Sequence, residues 1–206
     1  RWEKDGKLIP PDMFIGIAEE TGLLLCIGEW VLSTALAEAK NEFHPESRIA
    51  VNVSPKQLQQ TNFVAMVKGA LQVADFEPNR LEIEITETAF MENFSATQHK
   101  LKQLRECGIS IAIDDFGTGF SSLGRLKELQ VDKLKIDRSF VSESSNDKIS
   151  ENIVKTIISF AQNMEMKIIA EGVETTEQAN LLLDLGCDQQ QGYLFSKPIR
   201  LPLTPA

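Results

Sequence analysis

This 206-residue chain has little of what membrane passage, zinc binding or nucleic-acid grooves require. Its longest apolar run, Leu23-Leu-Leu-Cys-Ile27, is far too short to cross a bilayer. It opens on Arg-Trp without an initiator Met, so it is expected to be a fragment whose natural N-terminus, with any targeting segment there, lies upstream. It holds only two histidines, His44 and His99, and neither sits in a polar cluster; both are expected on the surface. The three cysteines, Cys26, Cys107 and Cys187, have no ligand spacing and leave one unpaired. They are expected to be buried and reduced, as in a cytosolic protein. Positive charge is scarce: 21 Lys and Arg against 30 Asp and Glu give a net charge of −9. That argues against a cationic groove for polymeric nucleic acid. It leaves room for a phosphate ester if divalent cations bridge the like charges.

What the chain has is a repeated pattern of short apolar runs that end in polar groups. Ile109-Ser-Ile-Ala-Ile-Asp114-Asp115-Phe-Gly117-Thr-Gly119-Phe-Ser-Ser122 is the plainest case. A β-branched run stops at two adjacent carboxylates, which would be costly to bury without a positive partner. The same arrangement recurs around Asn52, Glu84, Lys135 and Glu171. Strands are expected at Ile49–Ser54, Leu81–Thr86, Ile109–Asp114, Lys133–Asp137, Lys167–Gly172 and Asp188–Tyr193. Between them, helices are expected at 62–74, 95–106, about 122–128, 150–164 and 176–185. Ahead of the first strand, Asp12 is expected to cap a helix carrying Phe14, Ile15, Ile17 and Ala18, after a Gly/Pro-containing loop. A longer helix is expected at about 28–43, with Trp30, Val31, Ala35 and Leu36 on its apolar side.

Strict βα alternation implies a parallel sheet. In period 2, Asn52, Glu84, Asp114, Lys135 and Glu171 share one face with Glu82, Thr86, Ala112, Lys133 and Asp137. The other face is Val51/Val53, Ile83/Ile85, Ile111/Ile113, Leu134/Ile136 and Ile168/Ala170. A polar lumen and an apolar exterior describe a TIM-like (β/α)8 barrel with two of its strands missing from this chain. An open doubly wound sheet ranks second, because no Gly-x-Gly-x-x-Gly follows the first strand.

In such a barrel the carboxyl ends of the strands build the site. Asn52, Glu84, Asp114, Asp115 and Glu171 would converge there, all with hard oxygen donors that suit Mg2+ or Mn2+. Each taken alone could equally be a helix cap or a solvated strand end. Lys135, the one inward cation, either balances Asp114 and Asp137 or orients an attacking water. Asp137 is expected to hold it. Gln191 is either a plain surface amide or a contact to substrate or water. The 116–122 loop, with Gly117 and Gly119, is either an ordinary tight turn or a segment that approaches the metals.

Six ordered segments then carry a resemblance. Asn52-Val-Ser54, Glu84-Ile-Thr-Glu87, Asp114 to Leu123, Lys135-Ile-Asp-Arg-Ser-Phe140, Ala170-Glu-Gly-Val-Glu174 and Gln191-Gly-Tyr-Leu-Phe-Ser-Lys-Pro198 resemble the motif set of bacterial EAL domains, phosphodiesterases of cyclic di-GMP. The resemblance runs from residue 1 to about Pro198. It implies hydrolysis of cyclic di-GMP to linear pGpG with two Mg2+ or Mn2+ ions. Asn52, Glu84 and Asp114 would bind one ion, and Asp114 with Asp115 the second. Lys135 and Glu171 would serve the attacking water, Glu171 as base or as ligand. Glu87 would anchor the 116–122 loop, Arg1 would contact a substrate phosphate, and Gln191 would lie beside water or substrate. The family's Glu-Ala-Leu tripeptide would stand just before Arg1; without its glutamate, the chain as written is expected to be weakly active or inactive. The whole chain is expected to be one truncated domain of a cytoplasmic or membrane-tethered parent. A homodimer and a sensory or GGDEF domain elsewhere in the parent are further family expectations. The alternative reading is a receptor that binds the dinucleotide without cleaving it.

Overall fold

The computed structural model describes residues 2–91, 93–117, 123–144 and 147–199. The chain divides into two compact units, 1–111 and 112–206, and the division falls inside a strand.

The first unit opens with a hairpin. Strands β1 (Trp2–Lys4) and β2 (Lys7–Ile9) pair antiparallel around Asp5-Gly6, where both φ angles are positive, 53° and 71°. That is the turn an Asp-Gly dipeptide favours, and it replaces the expected opening loop. Asp12 does not cap the next helix. It lies in a 3-10 turn at Pro11–Met13, and α1 (Ile15–Glu20) follows without a side-chain cap. Helix α2 (Leu23–Glu42) begins five residues earlier than expected, directly after Gly22. It buries Leu24, Leu32, Leu36 and Ala39, while Trp30 and Val31 are exposed. Of the expected apolar side, Leu36 is buried, while Trp30 and Val31 are not. Leucines at spacings of four and eight set the packed face, and the larger Trp30 is left outside.

Strand β3 (Ile49–Val53) leads to α3 (Pro55–Gln59), started by a reciprocal cap. The Gln57 N–H donates to Ser54 Oγ, and the Ser54 N–H donates to Gln57 Oε1. Helix α4 (Phe63–Ala74) buries Phe63, Val67 and Leu71 before β4 (Leu81–Thr86), α5 (Glu87–Met91) and α6 (Phe94–Arg105). β3 and β4 pair parallel in unbroken register, with Asn52 opposite Glu84. Val51 and Val53 are buried while Asn52 is exposed, as the period-2 reading requires.

Strand β5 (Ser110–Phe116) straddles the division. The second unit continues with α7 (Leu123–Leu129), β6 (Lys133–Ile136), α8 (Arg138–Ser144) and α9 (Lys148–Asn163). Then come β7 (Lys167–Ala170), α10 (Thr176–Asp184) and the short β8 (Gln189–Gln190). Asp147 caps α9 through the Ser150 N–H, and Thr175 with Gln178 forms a second reciprocal cap at α10. The parallel sheet has six strands, β3 to β8, in chain order. All six lie where the sequence places them, though β8 is shorter than expected. Ile111, Ile113, Leu134, Ile136 and Ala170 are fully buried on the apolar side.

His44 and His99 are exposed, as expected. The cysteines differ from expectation. All three are free, but only Cys187 is buried; Cys26 is exposed on α2 and Cys107 is half-buried. Among the described residues no helix is long and apolar enough to cross a membrane.

Candidate metal centre

In the second unit, four of the residues singled out from sequence come together. Their arrangement starts with a defect in β5. Ile113 pairs with Leu134 and the next pair is Phe116 with Ile136, so β5 has two residues, Asp114 and Asp115, opposite the single Lys135. This is a bulge, with Asp115 in the left-handed region at φ 53° and its own N–H donating to Asp114 Oδ1 at 3.0 Å. In a regular strand, neighbouring side chains point to opposite faces. Here carboxylate oxygens of Asp114, Asp115 and Glu171, one from each, lie within 4.8 Å of one another.

Lys135 holds this acidic group together. Its Nζ donates to Asp114 Oδ1 at 2.9 Å and to Glu171 Oε1 at 2.7 Å, and its side chain is only 6% exposed. A lysine buried so deeply is stable as a cation only beside such partners. Glu171 follows directly after β7, and its N–H donates to Ile136 O at 3.1 Å, which fixes the backbone from which its carboxylate reaches Lys135.

Asp137 serves the helix that follows it. It starts α8, where Ser139 donates to Asp137 Oδ1 from its N–H at 2.9 Å and from its hydroxyl. Burial works against its charge. The two Ser139 bonds, with others from Asp115 and the Arg138 N–H, nevertheless hold its carboxyl below the usual range. Asp115 is pushed the other way, to about 6. Burial is the largest cause, followed by the charges of Asp114 and Asp137, its hydrogen bond with Asp137, and the charge of Glu171. Of the two hydrogen-bonded carboxyls, Asp115 is thus the one that takes up a proton first as the pH falls, at about 6.

The remaining candidates are placed as follows. Gln191 has an exposed side chain, and its backbone is fixed by bonds to Ala170 O and from the Val173 N–H. Gly117 stands at φ 102° directly after β5. In the first unit, Glu84 is buried beside Asn52 in the register, and Glu87 is buried in the first turn of α5. Arg1, Gly119 and the rest of the 118–122 loop lie outside the described residues. Sequence reasoning missed Ser139. An Asp-x-Ser triplet at the end of a strand was the available signal, since that spacing lets serine bond back to the aspartate.

The donor set is all oxygen, and three carboxylates face one ammonium group. The leftover negative charge and hard donors fit a divalent cation of the Mg2+ or Mn2+ class, with no soft ligand to favour zinc or copper.

The profile of the EAL domain matches residues 1–198. This chain belongs to the EAL domain family. It is 41% identical over 197 residues to the signaling protein YkoW of Bacillus subtilis, covering 95% of this chain and 25% of YkoW. It is also 41% identical over 203 residues to MucR of Pseudomonas aeruginosa, a bifunctional diguanylate cyclase/cyclic di-GMP phosphodiesterase, covering 97% of this chain and 30% of MucR. The EAL domain described here thus spans less than a third of the length of these curated relatives. Among solved structures, the PaMucR phosphodiesterase in complex with c-di-GMP superposes with a TM-score of 0.91 at 40% identity, covering 96% of this chain and 81% of that one. The fold read from sequence, α/β of the TIM-like barrel class, is that of this family.

Proposed function

We propose that this EAL domain is the catalytic part of a metal-dependent phosphodiesterase that opens cyclic di-GMP to linear pGpG. The observation that carries the reading is the bulge of β5, which sets Asp114 and Asp115 together opposite Lys135 with Glu171 alongside. Its similarity to MucR supplies the substrate. Asp114, Asp115 and Glu171 would hold Mg2+ or Mn2+, with Asn52 and Glu84 assigned to the same role by the motifs. Bound divalent cations balance the charge of the attacking and leaving oxygens in displacement at a phosphodiester.

The chain's own groups do the rest. Lys135 pairs with both Asp114 and Glu171 and holds them close together, which readies the oxygens for a cation. Glu171 accepts a hydrogen bond from the attacking water and orients it. Gln191 and Arg1 are assigned to the substrate, Glu87 to the 116–122 loop, and Gly117 and Gly119 to its freedom to bend. The parent is proposed to be cytoplasmic or tethered to the inner membrane, a homodimer, and linked to a sensory or GGDEF domain. The test is a hydrolysis assay with Mn2+ on the protein extended upstream of Arg1, with pGpG followed by chromatography. Appearance of pGpG supports the reading; tight binding of cyclic di-GMP with no pGpG at micromolar protein overturns it in favour of a receptor.

A further inference from the structure

Two chain bends carry the acids of the site, and both rest on the same short piece of helix. The first bend follows Asp114-Asp115 and turns at Gly117, with φ at 102°. A Cβ built there would stand 2.7 Å from Phe140 Cε2 and 3.4 Å from Ile157 Cδ1. The second bend follows Glu171 and turns at Gly172, with φ at 68°. A Cβ there would stand 2.4 Å from the Cβ of Arg138 and 3.3 Å from its Cα. The nearest contact at each bend, Phe140 at the first and Arg138 at the second, is made by the first turn of α8, with Ile157 of α9 behind Phe140. The same turn reaches the acids directly, since Asp137, which begins it, is hydrogen-bonded to Asp115.

From this we infer that Arg138 and Phe140 are positioning residues: the start of α8 is a template that sets where Asp114, Asp115 and Glu171 present their oxygens. The inference rests on the reading that these carboxylates hold a divalent cation. The template is firm. Val141 is fully buried, α8 packs against both α9 and α10, and the Asp137–Ser139 bonds fix its first turn. The bends have little room to retreat. After Gly172, the buried Val173 donates its N–H to Gln191 O at 3.0 Å and accepts from the Leu194 N–H at 3.0 Å. At Arg138 the close atoms are Cβ and backbone, not the far end of a flexible side chain, so an added methyl must move one bend or the other. Moving either shifts Glu171 relative to Asp114 and Asp115.

A pair of substitutions separates positioning from simple destabilisation. Gly172→Ala is expected to weaken Mn2+ binding, measured by calorimetry well below the melting temperature, about tenfold. Removing the opposing Cβ in the double variant Gly172→Ala/Arg138→Gly is expected to recover the affinity to within about threefold of the starting protein. An unchanged Mn2+ affinity in Gly172→Ala, or no recovery in the double variant, overturns the inference. Should Gly172→Ala fail to fold, Phe140→Leu decides. A loss of about threefold or more in Mn2+ affinity supports the template, and no loss overturns it. Failure of the unsubstituted protein to cleave cyclic di-GMP while still binding Mn2+ counts against the phosphodiesterase reading and leaves this comparison standing.

Discussion

Strands β4 and β5 are written in nearly the same alphabet, Leu-Glu-Ile-Glu-Ile-Thr and Ser-Ile-Ala-Ile-Asp-Asp-Phe, yet they deliver their acids in different ways. β4 keeps step with β3 from Ile49–Leu81 to Val53–Ile85, so Glu84 enters the sheet as a single acid between Ile83 and Ile85, with Asn52 opposite. β5 loses step with β6 after Ile113, and two consecutive carboxylates end up facing one lysine. A regular strand can offer a site one residue per two positions; a bulge offers neighbours. The cost is repulsion between adjacent charges. Burial first, and then the charges of Asp114, Asp137 and Glu171, push the Asp115 carboxyl up to about 6, while Lys135 offsets the repulsion by its ion pairs with Asp114 and Glu171.

The contrast can be broken most severely at the bulge itself. Asp114→Asn is expected to cut the rate of pGpG formation on the order of a thousandfold, because it removes charge from both Lys135 and the proposed cation. Steady-state assays on the upstream-extended protein check this. Next in size, Lys135→Met leaves Asp114 and Glu171 without their buried partner and should destabilise the metal-free protein by about 3 kcal/mol. A melting temperature lower by roughly 6–12 °C would show it, and saturating Mn2+ should restore much of the loss.

A smaller effect comes from pH. Asp115's carboxyl stands at about 6 in the folded chain against an ordinary 3.8, so the folded metal-free protein holds this proton more tightly than the unfolded chain does. Its contribution to stability is therefore present at acid pH and is lost as pH rises through about 6. Cation binding must displace the same proton. Mn2+ affinity should fall by up to about tenfold per pH unit below that point, with proton release seen by calorimetry in buffers of different ionisation enthalpy. The smallest effect belongs to the regular strand. Ile83→Val in β4, at a fully buried position, should cost about 1 kcal/mol in denaturant unfolding and leave Mn2+ affinity unchanged.

Most of the fold was legible because six β-rich runs alternate with helical periods, and hydrophobic period reports burial directly. What failed is instructive residue by residue. The hairpin at Asp5-Gly6 is hard to read from sequence although the dipeptide is a strong turn signal, because the flanking strands are only three residues each. The short helices α3, α5 and α8 have too few residues to show a period. Trp30 is expected on the apolar side of its helix, while the leucine spacing of α2 sets the buried face elsewhere. At the site, the acids were identifiable one at a time, but the period-2 argument sends Asp115 away from Asp114. Only the register shift with β6 reverses that, and a break in pairing leaves no mark in the composition of either strand.

The uneven exposure of the three thiols has a practical use. Burial pushes Cys187 up to about 11, and half-covered Cys107 donates its S–H to Gln103 O at 3.1 Å, so a maleimide dye at neutral pH should attach first to Cys26. The native chain would then carry a fluorescent reporter on a helix of the first unit, with no engineered residue and no label among the acids.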